Sequence, residues 1–139
     1  MKGVTIAEMK LGDSASFTKT VTDTDIYLYA GITGDFNPAH VNQVEAEKGM
    51  FGKRIAHGML SAGFISAVLG TLLPGPGTIY MGQELRFTKP VCIGDTITAT
   101  VTVSELITEK NRAIMETVCT NQDGEVVIKG TATVMPPKA

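Results

Sequence analysis

An aspartate and a histidine five positions apart, Asp35 and His40, are the side chains in this sequence best suited to chemistry. They lie in the run 34–40, where a glycine and a proline favour a bend in the backbone. A second histidine, His57, follows seventeen positions after His40 and directly precedes Gly58 and an apolar run. A carboxylate and an imidazole on one bend, near the unpaired N–H groups of a helix start, can add water beside a carbonyl group or remove it.

The same residues also support purely structural interpretations. An Asp-x-Asn-Pro turn followed by histidine is a common way to cap a helix, and taken alone the pattern favours a cap. His57 is either a catalytic group or, as we expect, a brace for the loop that enters the next helix. Asp35, His40 and His57 are possible metal ligands, but no third ligand lies close in sequence, so we expect no metal.

Short helices are predicted on both sides of the bend. Thr22 and Asp25 resemble a capping box before a helix that ends at one of the two following glycines, so Asp35 falls in a loop. Pro38 suits the first position of another helical turn. A short surface helix is then predicted over residues 41–48, where a glycine stops it.

The longest helix is predicted from about residue 57 to residue 72. It is apolar on nearly every side, which indicates a helix enclosed by the rest of the domain. The uncharged stretch 55–73 is a candidate membrane span, but it contains three glycines, two serines and a histidine. A buried core helix is therefore the better prediction, and we expect no membrane association.

The rest of the chain after Thr78 is predicted to form strands. Residues 96–103 alternate strictly and contain many β-branched side chains, and Asp123-Gly124 is a typical hairpin turn. The predicted strands cover residues 16–20, 79–87, 96–103, 112–121 and 125–135, with Ile79, Met81, Leu85 and Phe87 expected on one face of the second. An antiparallel sheet packed against one long apolar helix is an α+β architecture.

The composition is that of one ordinary globular domain over residues 1–139. With 43% apolar and 19% charged residues and a net charge of −2, the chain can bury a core and has no basic surface for nucleic acid. Cys92 and Cys119 lack metal-type spacing and are expected to be reduced thiols. The first residues lack the apolar core of a signal peptide, so we expect a cytoplasmic protein.

Three sequence blocks resemble the MaoC-like family of hot-dog proteins, in particular its (R)-specific enoyl-CoA hydratases. The hydratase signature of that family is matched by Tyr29, by the run 34–40 and by Ala46. Residues 55–59 and 73–83 are similar to two further blocks of the family, in the same order. Because the likeness spans nearly the whole chain, it outweighs the interpretation of the bend as a simple helix cap.

The resemblance implies a hot-dog fold, an antiparallel β-sheet wrapped around a long central α-helix. It implies a hydro-lyase that interconverts trans-2-enoyl-CoA and (R)-3-hydroxyacyl-CoA, without a metal or other cofactor, as a homodimer or higher homo-oligomer. A hot-dog acyl-CoA thioesterase and a non-catalytic acyl-CoA-binding module are the alternatives. Acyl-chain length, the choice between coenzyme A and acyl-carrier-protein substrates, and the physiological direction stay open.

The resemblance also assigns roles to individual residues. Asp35 and His40 match the catalytic pair, Gly58 matches the backbone N–H that holds the thioester oxygen, and Ser66 matches a supporting hydroxyl. Which member of the pair is the base stays open. Ser66 and Gln83 also have structural interpretations, a bond to a carbonyl of the preceding helical turn and a hydrogen-bonded amide, respectively. The further supporting candidates are Asn37, His57 and Gln83.

By charge alone, and not by the resemblance, four basic residues could contact the phosphates of coenzyme A: Lys53, Arg54, Arg86 and Lys89. The alternative is that they are ordinary solvated surface charges, so none is assigned as a phosphate ligand.

Overall fold

A computed structural model describes residues 2–139 and contains one five-stranded sheet with the strand order β1-β3-β4-β5-β2. The strands are β1 (Ser14–Thr20), β2 (Ile79–Phe87), β3 (Thr96–Ile107), β4 (Arg112–Thr120) and β5 (Val126–Met135). The α-helices are α1 (Asp23–Thr33), α2 (Pro38–Val41), α3 (Gln43–Lys48) and α4 (Gly58–Thr71), and 3-10 turns cover Ile6–Glu8 and Thr108–Lys110. All neighbouring strands are antiparallel, which confirms the predicted α+β hot-dog arrangement.

The helix before the bend follows the predicted capping signals. The Thr22 hydroxyl accepts from the Asp25 N–H at 3.2 Å, and the Asp25 carboxylate accepts from the Thr22 N–H at 2.9 Å. Of the two candidate glycines, the second, Gly34, ends α1 in the left-handed conformation with φ of 84°. Asp35 therefore begins the loop, as predicted.

The central helix α4 contacts all five strands, and its buried side supplies much of the core. Its buried apolar side chains are Leu60, Ala62, Ile65, Val68 and Leu69. The prediction of a fully enclosed helix is wrong for one stripe, because no element of the described chain covers Met59, Gly63, Ser66 and Gly70. Within residues 2–139, no helix is both long enough and apolar enough to cross a bilayer.

The middle of the sheet is the most regular part of the fold. Buried and half-buried residues alternate along β3 from Thr96 to Val103, as the sequence pattern predicted. The strand continues to Ile107 because an irregularity between Val103 and Glu105 shifts its pairing with β4. The alternation in the sequence does not show that β3 continues to pair with β4 beyond this bulge.

A β-bulge changes which side chains of β2 face the core. The pairing of β2 with β5 skips Met81. As a result, the residues of β2 that lie opposite the core-facing side of β5 are Tyr80, Gln83, Leu85 and Phe87. The prediction that Ile79 and Met81 lie on the same face as Leu85 and Phe87 is therefore wrong. The cause is the extra residue, which reverses the alternation between the two ends of the strand.

Candidate active site

Local hydrogen bonds shape the loop that carries Asp35. The Asp35 N–H donates to the Thr33 hydroxyl at 3.2 Å, and the Asp35 carboxylate accepts from the Asn37 N–H at 3.2 Å. The second of these bonds closes a turn in which the aspartate side chain stands in for a backbone carbonyl. The turn leaves Asp35 exposed, with one carboxylate oxygen not used by this bond.

The next turn of chain presents His40. The Asn37 side chain caps α2 by accepting from the Ala39 N–H at 3.1 Å, and Pro38 occupies the first helical turn. The structural interpretation of this motif is therefore correct as a description of the backbone. It does not compete with a chemical role, since the capped turn is what aims His40 beside Asp35.

The imidazole of His40 is oriented by a single backbone group. Its Nδ1 lies 2.8 Å from the carbonyl oxygen of Ile55. A carbonyl only accepts, so Nδ1 carries the hydrogen and Nε2 is the nitrogen free to exchange a proton. The chain is also joined at this point by a bond from the Ile55 N–H to the Ala39 carbonyl, at 3.1 Å.

His57 is buried, with only 2% of its surface exposed, and it touches both members of the pair. Its Nε2 lies 2.9 Å from the carbonyl oxygen of Asp35, to which it donates. Its ring centroid lies 4.0 Å from that of His40 and 4.5 Å from that of Tyr29. His57 therefore braces the loop that carries Asp35, rather than the loop that enters α4 for which the brace was predicted.

Folding brings three potential metal ligands together that the sequence spacing separates. Asp35, His40 and His57 each offer a ligand atom, and these atoms lie within 4.8 Å of one another. The two imidazole rings are stacked, with an interplanar angle of 32°, whereas a metal bound by two imidazoles requires their lone pairs to converge at about 2.0–2.1 Å. That no metal is required stays a prediction.

The first amide of α4 lies next to this group. Gly58 begins the helix, where N–H groups have no intrahelical acceptor and the helix dipole favours negative charge. A Cβ atom at position 58 would lie 2.5 Å from Cδ1 of Phe87. A side chain at position 58 would therefore displace the phenylalanine ring that packs against the glycine.

A cavity of about 420 Å³ opens over Asp35, His40, His57 and Gly58. Its apolar wall is formed by Phe51, Ile55, Ala56, Met59, Phe87, Val91 and Ile128, and Thr88, Lys89 and Pro90 complete the lining. Such a cavity, apolar with a few converging polar groups, suits a small organic substrate. Nothing in the sequence marks Phe51, Met59 and Phe87 as site residues, because local patterns do not show contacts between segments so far apart in the chain.

Gln83 lies on the inner face of the sheet and takes part in a separate polar cluster. Its Nε2 donates to the Thr117 hydroxyl at 3.0 Å, and its Oε1 accepts from the Tyr80 hydroxyl. Burial raises the pKa of the nearby Cys119 thiol to about 12, and burial, followed by the proximity of Cys119, raises the pKa of Tyr80. These contacts are those of a hydrogen-bonded structural amide, and Gln83 does not line the cavity.

The other sequence candidates are placed less centrally. Ser66 is exposed on α4 and does not line the cavity, so the fold of this chain does not place it beside Asp35 and His40. Of the four candidate phosphate ligands only Lys89 lines the cavity, where it forms an ion pair with Glu125. Arg86 lines a different groove, and the guanidinium of Arg54 is occupied by Asp23.

The fold and the site together define a hot-dog protein of the dehydratase type. A family profile described as "MaoC like domain" matches residues 7–126, which is most of the chain. The chain belongs to the MaoC-like domain family.

Two relatives and two solved structures show how close the likeness is. An (R)-specific enoyl-CoA hydratase of Rhodospirillum rubrum is 60% identical over 94% of this chain and 90% of its own length. A 3-hydroxybutyryl-CoA dehydratase of Methylorubrum extorquens is 46% identical, over 94% of this chain and 83% of its own.

The structural matches agree with those in sequence. The unliganded R-hydratase PhaJ1 of Pseudomonas aeruginosa matches with a TM-score of 0.93 and 44% identity, covering 99% of this chain and 88% of that chain. An (R)-hydratase of A. caviae involved in PHA biosynthesis matches with a TM-score of 0.89 and 37% identity, covering 93% and 98% of the two chains.

The contact between position 58 and Phe87 generates a stability prediction. Gly58→Ala forces the phenylalanine ring aside and lowers the free energy of unfolding by about 1–3 kcal/mol, as overpacking usually does. In a Phe87→Ala background the same change costs at least about 1 kcal/mol less, because the opposing ring is gone. Chemical unfolding of the four proteins at one concentration measures the coupling.

The control for this cycle is Gly31→Ala, since a Cβ at this helical position meets nothing within 4 Å. Alanine there raises stability by up to about 1 kcal/mol, as expected for a helix interior. Equal costs of Gly58→Ala with and without Phe87 contradict the proposed packing.

Proposed function

We propose that this protein is an (R)-specific enoyl-CoA hydratase, which adds water reversibly and syn to trans-2-enoyl-CoA and yields (R)-3-hydroxyacyl-CoA. The observation that carries the proposal is one arrangement of groups. Asp35 and His40 line the same apolar cavity as Gly58, the first residue of the central helix. The relatives that are 60% and 46% identical, a hydratase and a dehydratase by name, support the same reaction in its two directions.

The thioester oxygen is the point at which negative charge develops. Addition of a hydroxyl to C3 pushes electron density through the conjugated system onto this oxygen. A Gly58 N–H directed at that oxygen would stabilise the enolate, and one such donor is typically worth about 3 kcal/mol. The apolar wall, with Phe87 against Gly58, strengthens the interaction by keeping water away.

Asp35 and His40 would carry the two protons of the reaction. One of the two groups takes a proton from water as the water oxygen bonds to C3, and a proton is delivered to C2. The net protonation of the enzyme is unchanged after both transfers. His40 suits this role because its Nδ1 is tied to the Ile55 carbonyl while Nε2 is free. General acid–base catalysis of this kind contributes roughly a hundred- to ten-thousandfold.

No metal or other cofactor belongs to the proposal, since the side-chain pair and the amide supply both the proton transfers and the charge stabilisation. Coenzyme A enters only as part of the substrate. A cytoplasmic location is also proposed, because free acyl-CoA esters are the substrates required. Asn37 and His57 would support the reaction by holding the loop. Gln83 bonds within the sheet, and a supporting role for Ser66 rests on the family resemblance, since neither residue lines the cavity.

We also propose that two copies of the chain pair through β2. This strand ends the sheet, and its exposed apolar residues include Ile79 and Met81, which are 54% and 48% exposed. An unpaired apolar edge of this kind invites another strand. Pairing there would extend the sheet across both chains and cover the exposed stripe of α4, to which Ser66 belongs.

The hydratase proposal predicts a distinct pattern with crotonyl-CoA. We expect loss of the conjugated-thioester absorbance without release of free thiol, and an (R)-3-hydroxy product on chiral analysis. Thiol release would instead identify a thioesterase, and no change in either signal would identify a binding module. A parallel reaction with crotonyl-acyl-carrier protein decides which carrier is preferred.

Substitution of either catalytic candidate tests the assigned roles. Asp35→Asn and His40→Gln each lower kcat by roughly a hundred- to ten-thousandfold, because each removes a proton-transfer group while leaving a side chain that can keep the local hydrogen bond. Circular dichroism and the unfolding midpoint should stay close to those of the parent. Asp123→Asn, in the β4–β5 turn, is the matched control and keeps full activity; rates near normal in either test variant refute the pair.

The oligomer proposal predicts a mass twice that of the 14.7 kDa chain in light scattering. Met81→Lys places a charge on the edge of β2 and should yield a monomer at low micromolar concentration. Leu11→Lys is the control, since Leu11 is 67% exposed outside the strands. A parent protein that is monomeric at all concentrations would exclude the pairing.

A further inference from the structure

Arg54 is a half-buried arginine that none of the proposed chemistry uses. Its side chain is only 12% exposed, although arginine is rarely buried unless its charge is paired. It lies just before the residue that orients the His40 ring. The sequence makes Arg54 a candidate phosphate ligand, but its guanidinium is already bonded to side chains of α1 and α3.

The guanidinium joins three helices. One terminal nitrogen donates to the Asp23 carboxylate at 2.9 Å and to the Tyr27 hydroxyl at 3.0 Å, both on α1. The same nitrogen lies 3.4 Å from the backbone carbonyl of His40 on α2, and Nε donates to the Gln43 side chain of α3 at 3.1 Å. The Tyr27 ring also lies 5.6 Å from the guanidinium carbon.

Three contacts from two consecutive residues thus restrain His40 and Ala39, the residue before it. The Arg54 guanidinium reaches the His40 carbonyl, the Ile55 carbonyl accepts from the His40 ring, and the Ile55 N–H bonds to the carbonyl of Ala39. Together they restrain the backbone on both sides of the ring and the ring itself. A ring held at only one of these points would be free to tilt.

The helix that carries His40 needs such external support. α2 has four residues, Pro38–Val41, and a single helical turn is unstable alone because nucleation fixes several dihedral angles for one hydrogen bond. The Asn37 cap orders its start. At its end the next residue, Asn42, leaves the helix with extended backbone angles, so the carbonyl side of His40 depends on contacts from elsewhere.

The charge of Arg54 is balanced locally, which separates positioning from an electrostatic effect. The hydrogen bond with Asp23, together with the charge of that carboxylate, outweighs burial and raises the pKa of Arg54, so it is charged at every working pH. The pair is close to neutral as a unit, and its planar fork fixes direction in a way that lysine cannot reproduce.

We propose that Arg54 is a positioning residue for the hydratase reaction, which fixes the aim of the His40 imidazole by holding the end of α2 against α1 and α3. The proposal rests on the proposed function for its catalytic consequence. Its structural part concerns the geometry of His40 alone. The two parts can therefore be measured separately.

The catalytic test compares Arg54→Lys and Arg54→Gln with the parent protein. Both should lower kcat by on the order of ten- to a hundredfold, with KM changed less than twofold, because a displaced imidazole slows proton transfer without removing a substrate contact. Lysine should not rescue the loss, although it keeps the charge. Rates within threefold of the parent in both variants overturn the proposal.

The structural test is nuclear magnetic resonance of isotope-labelled histidine. In the parent protein the His40 ring should show the tautomer with hydrogen on Nδ1, and both Arg54 variants should show a mixture of tautomers or a faster-exchanging Nδ1 proton. An unchanged His40 spectrum in a folded variant overturns the proposal. This readout works even if the parent lacks hydratase activity, so a failure of the proposed function is distinguishable.

A milder variant covers the case in which loss of Arg54 prevents folding. Tyr27→Phe combined with Gln43→Ala removes two of the guanidinium's partners while keeping the ion pair with Asp23. We expect a smaller loss of kcat, about three- to tenfold, and a measurable change in the His40 signal. No change in either measurement overturns the proposal, since the hydrogen bonds of the Arg54 guanidinium would then have no effect on the His40 ring.

Discussion

The geometry of the site depends on the extended segment 54–57, which bonds to the loop that carries Asp35 and His40. That loop has only one capped helical turn and one side-chain turn, which cannot hold a fixed shape in water alone. The His40 ring and the Asp35 carbonyl each bond to this segment. The segment is itself held by a bond from the Ala56 N–H to the Val91 carbonyl, at 2.8 Å. Through this bond, the chain between β2 and β3 helps to fix the position of the loop.

The same segment leads directly into α4, and this continuity joins the two halves of the site. His57, which braces the loop, immediately precedes Gly58, whose amide begins the helix. The distance between the catalytic pair and that amide is therefore set by adjacent residues and one buried ring. It does not require accurate docking of distant elements. Phe87 adds a wall from β2 and makes a side chain at position 58 incompatible with the present packing.

Local patterns were sufficient to predict the elements but not the contacts between them. The caps of α1 and α2, the apolar α4 and the alternation of β3 depend on neighbours in sequence, and each was predicted within a few residues. The bulge at Met81 was missed because the extra residue is defined only by its partner strand. Arg54 and Phe87 were misjudged or overlooked for the same reason, since their partners lie about thirty residues away in the chain. The exposed stripe of α4 was missed because no local pattern marks which side of an apolar helix the other elements leave uncovered.

The loop and the rest of the fold supply different parts of the site, and this bears on the stereochemistry of the proposed addition of water. The helix start and the sheet supply an amide and an apolar cavity, which any acyl-thioester protein of this fold can use. In the proposed reaction the choice of chemistry comes from the loop, because Asp35 and His40 lie on one bend that lines the cavity. A planar enoyl group bound there meets both groups on the same face, so hydroxyl and proton add syn.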